Sequence, residues 1–371
     1  MRTEVGTTAW RILPVPVPSS LDDDDAWALH AVAALERATQ EAAWGHHDLA
    51  YPAQANLVKL QDARYTRRVQ LVAVPADRPR DVLGAAIMRL FQRSNTHLVE
   101  VDVLVRPDQV GRGVDDALLD AALDHARADG RRVAILSSEH TREPAPDDPG
   151  VLVAPTGSGR IQRTDPGATL AERFGFTLEQ ADRYSVLELP VAPERLAELR
   201  SSAAAVAGAE YRTVTWVDRC PEEWVEEFAR LETRMTTDAP SAGLEIDEDP
   251  WDAARVRASE ASIAQAGRDS LVTAVVHEPS HTLAGFTMVE LPRATPEVVY
   301  QENTLVVREH RGKRLGMLVK AVNLEQLAAR FPGARRVHTW NAEENSFMLN
   351  INVALGFRPV GVYAMWQKHL D

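Results

Sequence analysis

The chain contains the same short pattern twice, 201 residues apart. In each copy a valine-rich strand runs into a small, basic, glycine-containing turn, and an apolar-periodic helix follows. The stretches 103–114 and 304–315 align without a gap, with Gly111 opposite Gly312. Because a repeat of this length is improbable by chance, it predicts two domains of the same fold rather than one.

The similarity continues beyond the turn. A strand with a basic start follows each helix, at residues 131–133 and 335–337. Each copy then has a short helix that ends in Gly-Phe, at residues 175–176 and 356–357. Both copies therefore extend over most of a domain, not over the turn alone.

The length of 371 residues allows two domains that each bury their own core. We expect one domain over residues 1–190 and a second over residues 191–371. Periodicity in the second half predicts the element order βαα-βββ-α-β-α-β, which the first half follows less clearly. In the first half, three strands between residues 70 and 105 predict an antiparallel meander. The chain is thus predicted to be an α/β (α+β) protein with a repeated domain.

One segment does not fit this pattern. Residues 140–166 are acidic and rich in proline and glycine, which predicts a loop. The loop would be unusually long for a compact domain, so we expect either a functional flap or a disordered segment.

Charge and cysteine content exclude several classes of protein. The formal net charge is −13, with 41 Lys and Arg against 54 Asp and Glu, so we expect neither nucleic acid nor an anionic membrane as a partner. Cys220 is the only cysteine, which fits a reducing cytosol and an inert thiol. No segment has the pattern of a signal peptide or a membrane span. We expect a cytoplasmic monomer or homodimer. We also expect no metal site, because the adjacent pair His46 and His47 lacks further ligands.

The second turn carries the clearest chemical signal. The start of a helix presents unpaired backbone N–H groups, and the helix dipole adds to their attraction for anions. Four of the seven residues from 308 to 314 are basic: Arg308, Arg311, Lys313 and Arg314. The pattern predicts a pyrophosphate site, and the alternative is an ordinary turn with a solvated basic surface. Neither GxxxxGK[ST] nor GxGxxG occurs between a strand and a helix.

The turn and the elements after it resemble motifs A and B of the GCN5-related N-acetyltransferase (GNAT) family. The signature of this family at the turn is Q/R-x-x-G-x-G/A. The second copy, Arg311–Gly316, keeps its first and last positions and has Arg314 where glycine is usual. The first copy, Val110–Asp115, keeps only the middle glycine. The whole chain resembles tandem actinobacterial members of the mycothiol synthase type.

The resemblance implies two tandem GNAT-like domains, each with a mixed, mostly antiparallel sheet flanked by helices. The aspartate that ends the first turn would repel pyrophosphate, so the first domain is predicted to be degenerate and the second to bind acetyl-CoA. Acetyl-CoA would lie where two central parallel strands separate, and the backbone N–H of Leu305 or Val306 would polarise the thioester carbonyl. The remaining implied cofactor-binding residues are Arg311, Gly312, Lys313, Arg314, Leu315, Gly316 and Asn345. Asn345 is also well placed as a helix N-cap.

Two further roles follow from the resemblance. Glu302 is the predicted catalytic base that takes the proton of the amine, and Glu290 is the alternative. Family members often carry a tyrosine that protonates the leaving thiolate, and this chain has Asn352 at that position. Either backbone N–H groups and water stabilise the thiolate, or another residue such as Tyr300 or Tyr363 serves.

These features predict an N-acetyltransferase that moves an acetyl group from acetyl-CoA to a primary amine of a small molecule. The acidic loops 140–149 and 245–249 favour a cationic amine. The alternative is a non-catalytic, regulatory protein that binds acyl-CoA, for which Arg314 and the missing tyrosine are the evidence.

Overall fold

The structure is a computed structural model that describes residues 10–371. The described chain folds as two compact units. The first unit contains the chain up to Thr141 together with Arg163–Leu178 and Met365–Asp371. The second unit contains Arg142–Gln162 and Glu179–Ala364. The units are therefore interleaved along the chain.

The described residues form both strands and helices. In chain order they are β1 (Trp10–Pro14), α1 (Trp27–Trp44), α2 (Ala53–Gln61), β2 (Thr66–Pro75), β3 (Gly84–Phe91), β4 (Leu98–Val105), α3 (Val114–Ala128), β5 (Val133–His140), β6 (Val151–Val153), β7 (Arg160–Gln162), α4 (Pro166–Arg173), β8 (Thr177–Glu188), α5 (Pro193–Ala207), β9 (Tyr211–Val217), α6 (Val225–Asp238), α7 (Ala253–Gln265), β10 (Arg268–His277), β11 (Thr282–Pro292), β12 (Val298–Val306), α8 (Leu315–Arg330), β13 (Arg336–Ala342), α9 (Ser346–Leu355) and β14 (Arg358–His369).

The first unit is built on a sheet in the order β1-β2-β3-β4-β5. All neighbours in this row are antiparallel except β4 and β5, which are parallel. The predicted antiparallel meander is confirmed as β2, β3 and β4. Apolar residues of α1, such as Leu29 and Val32, recur at helical spacing and therefore lie on one face of the helix. This face packs against one side of the sheet and buries it.

The second unit repeats this arrangement, with strands in the order β8-β13-β12-β11-β10-β9. Again one pair is parallel, β12 with β13, and the other neighbours are antiparallel. Helices α5 and α8 pack on one side of this sheet, and α6 and α7 pack on the other. The expected mixed, mostly antiparallel sheet flanked by helices is therefore the observed fold.

Several parts of the first 190 residues differ from the sequence prediction. The segment predicted as a loop between residues 140 and 166 contains the antiparallel hairpin β6–β7. Its strands have only three residues each, which is too short for periodicity to detect. Neither α2 nor β8 was predicted from the sequence. Residues 179–190 lie in the second unit, although they were assigned to the first domain.

Within residues 10–371 no helix has the length and apolar character needed to cross a membrane. No three His, Cys, Asp or Glu side chains of this part of the chain converge on a point that could hold a metal ion. The start of the chain, where we expected no signal peptide, includes residues 1–9, which lie outside the described residues.

Candidate functional site

The parallel strands β12 and β13 pair over only three residues each. The ladder joins Val298–Tyr300 to Arg336–His338, after which β12 continues to Val306 and β13 to Ala342. Because the hydrogen-bonded ladder ends while both strands continue, their carboxyl-terminal parts separate. The GNAT resemblance implied a cleft at this place, between two central parallel strands.

Strand β12 also contains a bulge. Opposite β11, Thr304 faces Thr287 and Gln301 faces Val289, so β12 has one residue more than β11 between these pairs. The extra residue interrupts the ladder, and the Gln301 side chain donates to the Met288 carbonyl at 2.7 Å. Bulges of this kind re-aim the backbone and are frequent beside active sites.

The direction of the backbone beyond the bulge is fixed by one hydrogen bond. The Val307 N–H donates to the Ala284 carbonyl at 3.0 Å, toward β11. Successive backbone N–H groups of a strand point to opposite edges, so the Val306 N–H points to the edge where β13 has separated. Of the two predicted donors, Leu305 and Val306, the geometry favours Val306.

The two repeated turns share one backbone conformation. In the second unit Gly312 has φ +81° and Arg314 has φ +55°. In the first unit Gly111 has φ +75° and Gly113 has φ +81°. Arg314 thus adopts the left-handed conformation for which glycine is the usual residue. The departure from the family signature therefore changes the side chain and leaves the turn intact.

Gly316 lies where β12, α8 and α9 meet. A Cβ atom there would come within 3.0 Å of Ile351 Cδ1 on α9 and 3.9 Å of Val306 Cγ2 on β12. Asn345 begins α9, since its side chain accepts a hydrogen bond from the Met348 N–H at 3.2 Å, as predicted for an N-cap. The structure therefore brings two predicted residues, Val306 and Gly316, together beside Ile351 of α9.

The basic side chains of the second turn have protein partners. Arg311 donates to the Val306 carbonyl at 3.0 Å and to Asp238 at 3.1 Å. The Lys313 ammonium lies 5.1 Å from the centre of the Tyr211 ring, and Arg314 donates to Ser202 Oγ at 2.7 Å. Arg311 and Arg314 remain exposed to solvent, so an anion can reach them.

The first unit has the opposite charge at the equivalent place. Asp115 and Asp116 occupy the first turn of α3, and Arg173 pairs with both. Strand β4 has no bulge opposite β3, since its register runs without a shift from Leu90–Val99 to Gly84–Val105. The first unit keeps the backbone of the turn and lacks the bulge.

The two candidate bases have different surroundings. Glu290 forms an ion pair with Arg268 at 2.8 Å, and both side chains are largely buried. Glu302 lies in the bulge of β12 and is exposed. Since a base must reach its substrate, this difference favours Glu302 over Glu290.

A second carboxylate near the bulge was not found by sequence reasoning. Glu232 on α6 is 6% exposed and accepts a hydrogen bond from Asn303 Nδ2 at 3.0 Å. The pKa of Glu232 is raised to about 7, chiefly by burial; the negative charge of Glu302 adds to this rise, and the Asn303 hydrogen bond partly offsets it. The only sequence signal was a charged residue on the buried stripe of α6.

Carboxylates also gather at the end of β13. Asp182 Oδ1, Glu344 Oε2 and Trp340 Nε1 are buried and have no hydrogen-bond partner among the described residues. Burial, with a smaller contribution from the negative charges of Glu344 and Glu343, raises the pKa of Asp182 to about 7. A ligand with donor groups could satisfy both carboxylates.

A buried polar network occupies the position of the missing tyrosine. Lys320 on α8 donates to Asn352 Oδ1 at 2.8 Å, and Asn352 Nδ2 donates to Asn341 Oδ1 at 2.6 Å. Lys320 and Asn352 are 2% and 3% exposed. From the sequence, Asn352 was identified only as the residue in place of the tyrosine, and Lys320 was not predicted to take part.

Comparison with known proteins gives fold-level relatives. No protein-family model and no curated protein sequence matches the chain. A tandem GNAT protein from the clavulanic acid biosynthesis pathway is similar at 27% identity, with a TM-score of 0.71, over 98% of this chain and 99% of that one.

Two more distant structures share the fold. A GCN5-related N-acetyltransferase from Sphaerobacter thermophilus has 14% identity and a TM-score of 0.58, over 97% of this chain and 96% of its own. A glucosamine N-acetyltransferase region of a fungal multi-domain β-N-acetylglucosaminidase has 15% identity and a TM-score of 0.60, with 98% of this chain covering 38% of that one. The chain therefore has the fold of tandem GNAT acetyltransferases.

Proposed function

We propose that the protein is an N-acetyltransferase that transfers an acetyl group from acetyl-CoA to a primary amine of a small molecule. The reaction is assigned to the second unit. The observation that carries this assignment is the bulge in β12, beside strands that separate and a helix start without acidic residues. The first unit has the same turn but a regular β4 and two aspartates in the first turn of α3.

The geometry of the turn supports the proposed binding of acetyl-CoA. The N–H groups from Gly312 to Gly316 and the helix dipole of α8 would hold the pyrophosphate, with Lys313 and Arg311 as local cations. To bind the phosphate, Arg311 would have to release its hydrogen bond to Asp238. Asn345 at the start of α9 is proposed to contact the CoA arm.

The chemistry is direct attack of the amine on the thioester carbonyl carbon. The C–N bond forms, the C–S bond breaks, and its electron pair leaves on sulfur. The Val306 N–H stabilises the oxyanion that develops on the carbonyl oxygen. Glu302 accepts the proton that the amine nitrogen loses.

The acceptor is proposed to be cationic. Asp182 and Glu344 at the end of β13 present buried oxygen atoms without hydrogen-bond partners among the described residues. An ammonium group would supply both hydrogen bonds and charge. The closer resemblance to the mycothiol synthase type stays a prediction from the sequence.

Turnover of acetyl-CoA with a panel of amines, measured as release of free thiol, tests this function. Lys313→Ala should weaken acetyl-CoA binding by about 1–3 kcal/mol, the range for a charge-assisted hydrogen bond. Its matched control, Arg112→Ala in the first unit, should leave binding unchanged. A pantetheine fragment without pyrophosphate should not distinguish Lys313→Ala from wild type. Equal losses for both variants would contradict the assignment to the second unit.

A non-catalytic protein that binds acyl-CoA is the second candidate. It is favoured by Asn352, which cannot act as a phenolic acid, and by Arg314 in the turn. Tight binding of acetyl-CoA without thiol release from any amine of the panel would support this candidate.

A further inference from the structure

The sheet face that α1 covers in the first unit changes from apolar to polar along β2. In the apolar part, Val72 belongs to one core cluster with Leu29 of α1. Side chains two residues apart on a strand share a face, so Gln70 and Arg68 continue this face toward the start of β2. The core therefore ends in two polar side chains.

Strand pairing extends the polar region across β2, β3 and β4. In one row Arg68 lies opposite Arg89, and Arg89 lies opposite Glu100. In the next row Gln70 and Asp102 flank a single residue of β3. Directly opposite residues share a face in an antiparallel sheet, so all five side chains lie on the side of α1. Together they form a polar recess.

The recess is open to solvent, and one of its two cations is compensated. Arg89 Nε lies 2.6 Å from Glu100 Oε2, and Arg89 Nη2 lies 3.4 Å from Asp102 Oδ2. The side chains of Arg89 and Asp102 are 31% and 30% exposed, so a dissolved molecule can reach them.

The second cation has no counter-charge. Arg68 forms no ion pair and no hydrogen bond with any residue from 10 to 371. Like charges directly opposite each other destabilise a sheet, so Arg68 beside Arg89 is unfavourable unless a further anion binds there. The pKa of Arg68 is lowered to about 10, chiefly by burial and then by the positive charge of Arg89, so Arg68 is still a cation at neutral pH. An anionic group of a ligand would supply the missing charge.

Gln70 is a second, independent sign of a missing partner. It is 3% exposed, and its Oε1 accepts no hydrogen bond within the described part of the chain. A buried acceptor without a donor costs stability and calls for an explanation. Since Gln70 and Arg68 are neighbours on one face, a ligand held by Arg68 can donate to Gln70 Oε1.

An acidic group of α1 lies near the recess. Glu36 is 7% exposed and accepts hydrogen bonds from the Tyr51 N–H at 2.7 Å and from Asn56 Nδ2 at 3.2 Å. Burial raises the pKa of Glu36 to about 7; the two hydrogen bonds partly offset this rise, and the negative charge of Asp102 adds to it. This interaction between two carboxyl groups favours a cationic group of a ligand beside Asp102.

The second unit does not repeat this arrangement. The residue pair equivalent to Arg68 and Arg89 is Ser270 and Glu290, which lie opposite each other in β10 and β11. Arg268 compensates the charge of Glu290 at 2.8 Å. The uncompensated arginine is therefore not a consequence of the shared fold.

We propose that the first unit binds a zwitterionic α-amino acid in the polar recess, with its carboxylate on Arg68 and its ammonium on Gln70 Oε1 and Asp102. A guanidinium holds a carboxylate by two parallel hydrogen bonds. The two arginines and two carboxylates of the recess carry no net charge together, so a ligand with both signs fits better than a phosphate or a dicarboxylate. The site lies wholly in the first unit and does not rest on the proposed function.

Isothermal titration of the full chain with each of the common L-amino acids tests the proposal. At least one of them should bind at a single site per chain. Its methyl ester, which lacks the carboxylate, and its N-acetyl derivative, which lacks the ammonium, should each bind at least about tenfold more weakly. The inference is overturned if no amino acid binds, if either derivative binds as tightly as the amino acid, or if inorganic phosphate displaces it.

Variants locate the site. Arg68→Met should weaken binding by about 10–100-fold, since a charge-assisted contact is lost, and Gln70→Leu should weaken it less. The matched control is Arg67→Met, because Arg67 is the next residue of β2, lies on the opposite face and pairs with Asp129. Binding should be unchanged in this control, and an equal loss in both arginine variants would contradict the proposal.

Thermal unfolding without ligand separates binding from a structural role. Arg68→Met should be no less stable than wild type, because it removes a contact between like charges. A melting temperature of Arg68→Met below that of Arg67→Met would mean that Arg68 serves the fold, and it would overturn the inference.

Discussion

Replacement of Glu232 by glutamine should stabilise the protein above neutral pH. Glu232 is buried on α6, and its pKa of about 7 lies well above the ordinary value of 4.5. Glutamine has nearly the same shape and can still accept the hydrogen bond from Asn303. The substitution therefore removes the buried charge and little else.

The sign and size of the effect follow from the two pKa values. Between about pH 4.5 and pH 7 the folded protein holds more protons than the unfolded chain, so the free energy of unfolding falls as pH rises through this range. The ionised Glu232 therefore destabilises the folded protein by about 3 kcal/mol at pH 8, and this effect vanishes below pH 4.5. Glu232→Gln should be more stable than wild type by up to this amount at pH 8, and about equal at pH 4.

Urea unfolding at both pH values measures this difference, with hydrogen exchange in α6 to report on the second unit alone. The matched control is Glu226→Gln, an exposed carboxylate on the same helix, which should show no such pH dependence. A stability difference that is the same at pH 4 and pH 8 would refute the reasoning. It would mean that Glu232 ionises in the folded protein as it does in the unfolded chain.

Three further outcomes are expected. Glu302→Gln should lower kcat roughly 10²–10⁴-fold with little change in acetyl-CoA affinity, and full activity with an unchanged pH–rate profile would exclude it as the base. Gly316→Asp should abolish most acetyl-CoA binding in isothermal titration, whereas Gly316→Ala, which only has to displace the end of the Ile351 side chain, should weaken it less. Arg314→Gly should keep the turn, as Gly113 does, and change the free energy of unfolding by no more than about 1 kcal/mol.

The sequence predicted the fold of the second unit well because its signals are local. Strands β10 to β12 are nine to eleven residues long and rich in valine and leucine, and α9 has both an N-cap, Asn345, and a C-terminal glycine, Gly356. The interleaved units were not foreseen. Residues 179–188 join the second unit through pairing of β8 with β13, and such long-range pairing leaves no periodic signal in either strand.

The candidate site was predictable only where the backbone forms it. The turn at Gly312 and the end of β12 could be located from glycine and valine positions. Glu232 and Lys320 could not, since a charged residue on a helix is usually solvated and nothing local shows its burial. The partners that reveal them, Asn303 and Asn352, are distant in sequence.

The donor proposed at Val306 belongs to the main chain, and this limits how such a domain can change by mutation. Of the common residues only proline lacks the N–H, so almost any substitution at this position leaves the donor in place. A point mutation can therefore inactivate a duplicated copy more readily by introducing a charge than by removing this N–H donor. The first unit fits such a history, with Asp115 where the second unit has Gly316 and with a turn whose backbone is otherwise preserved.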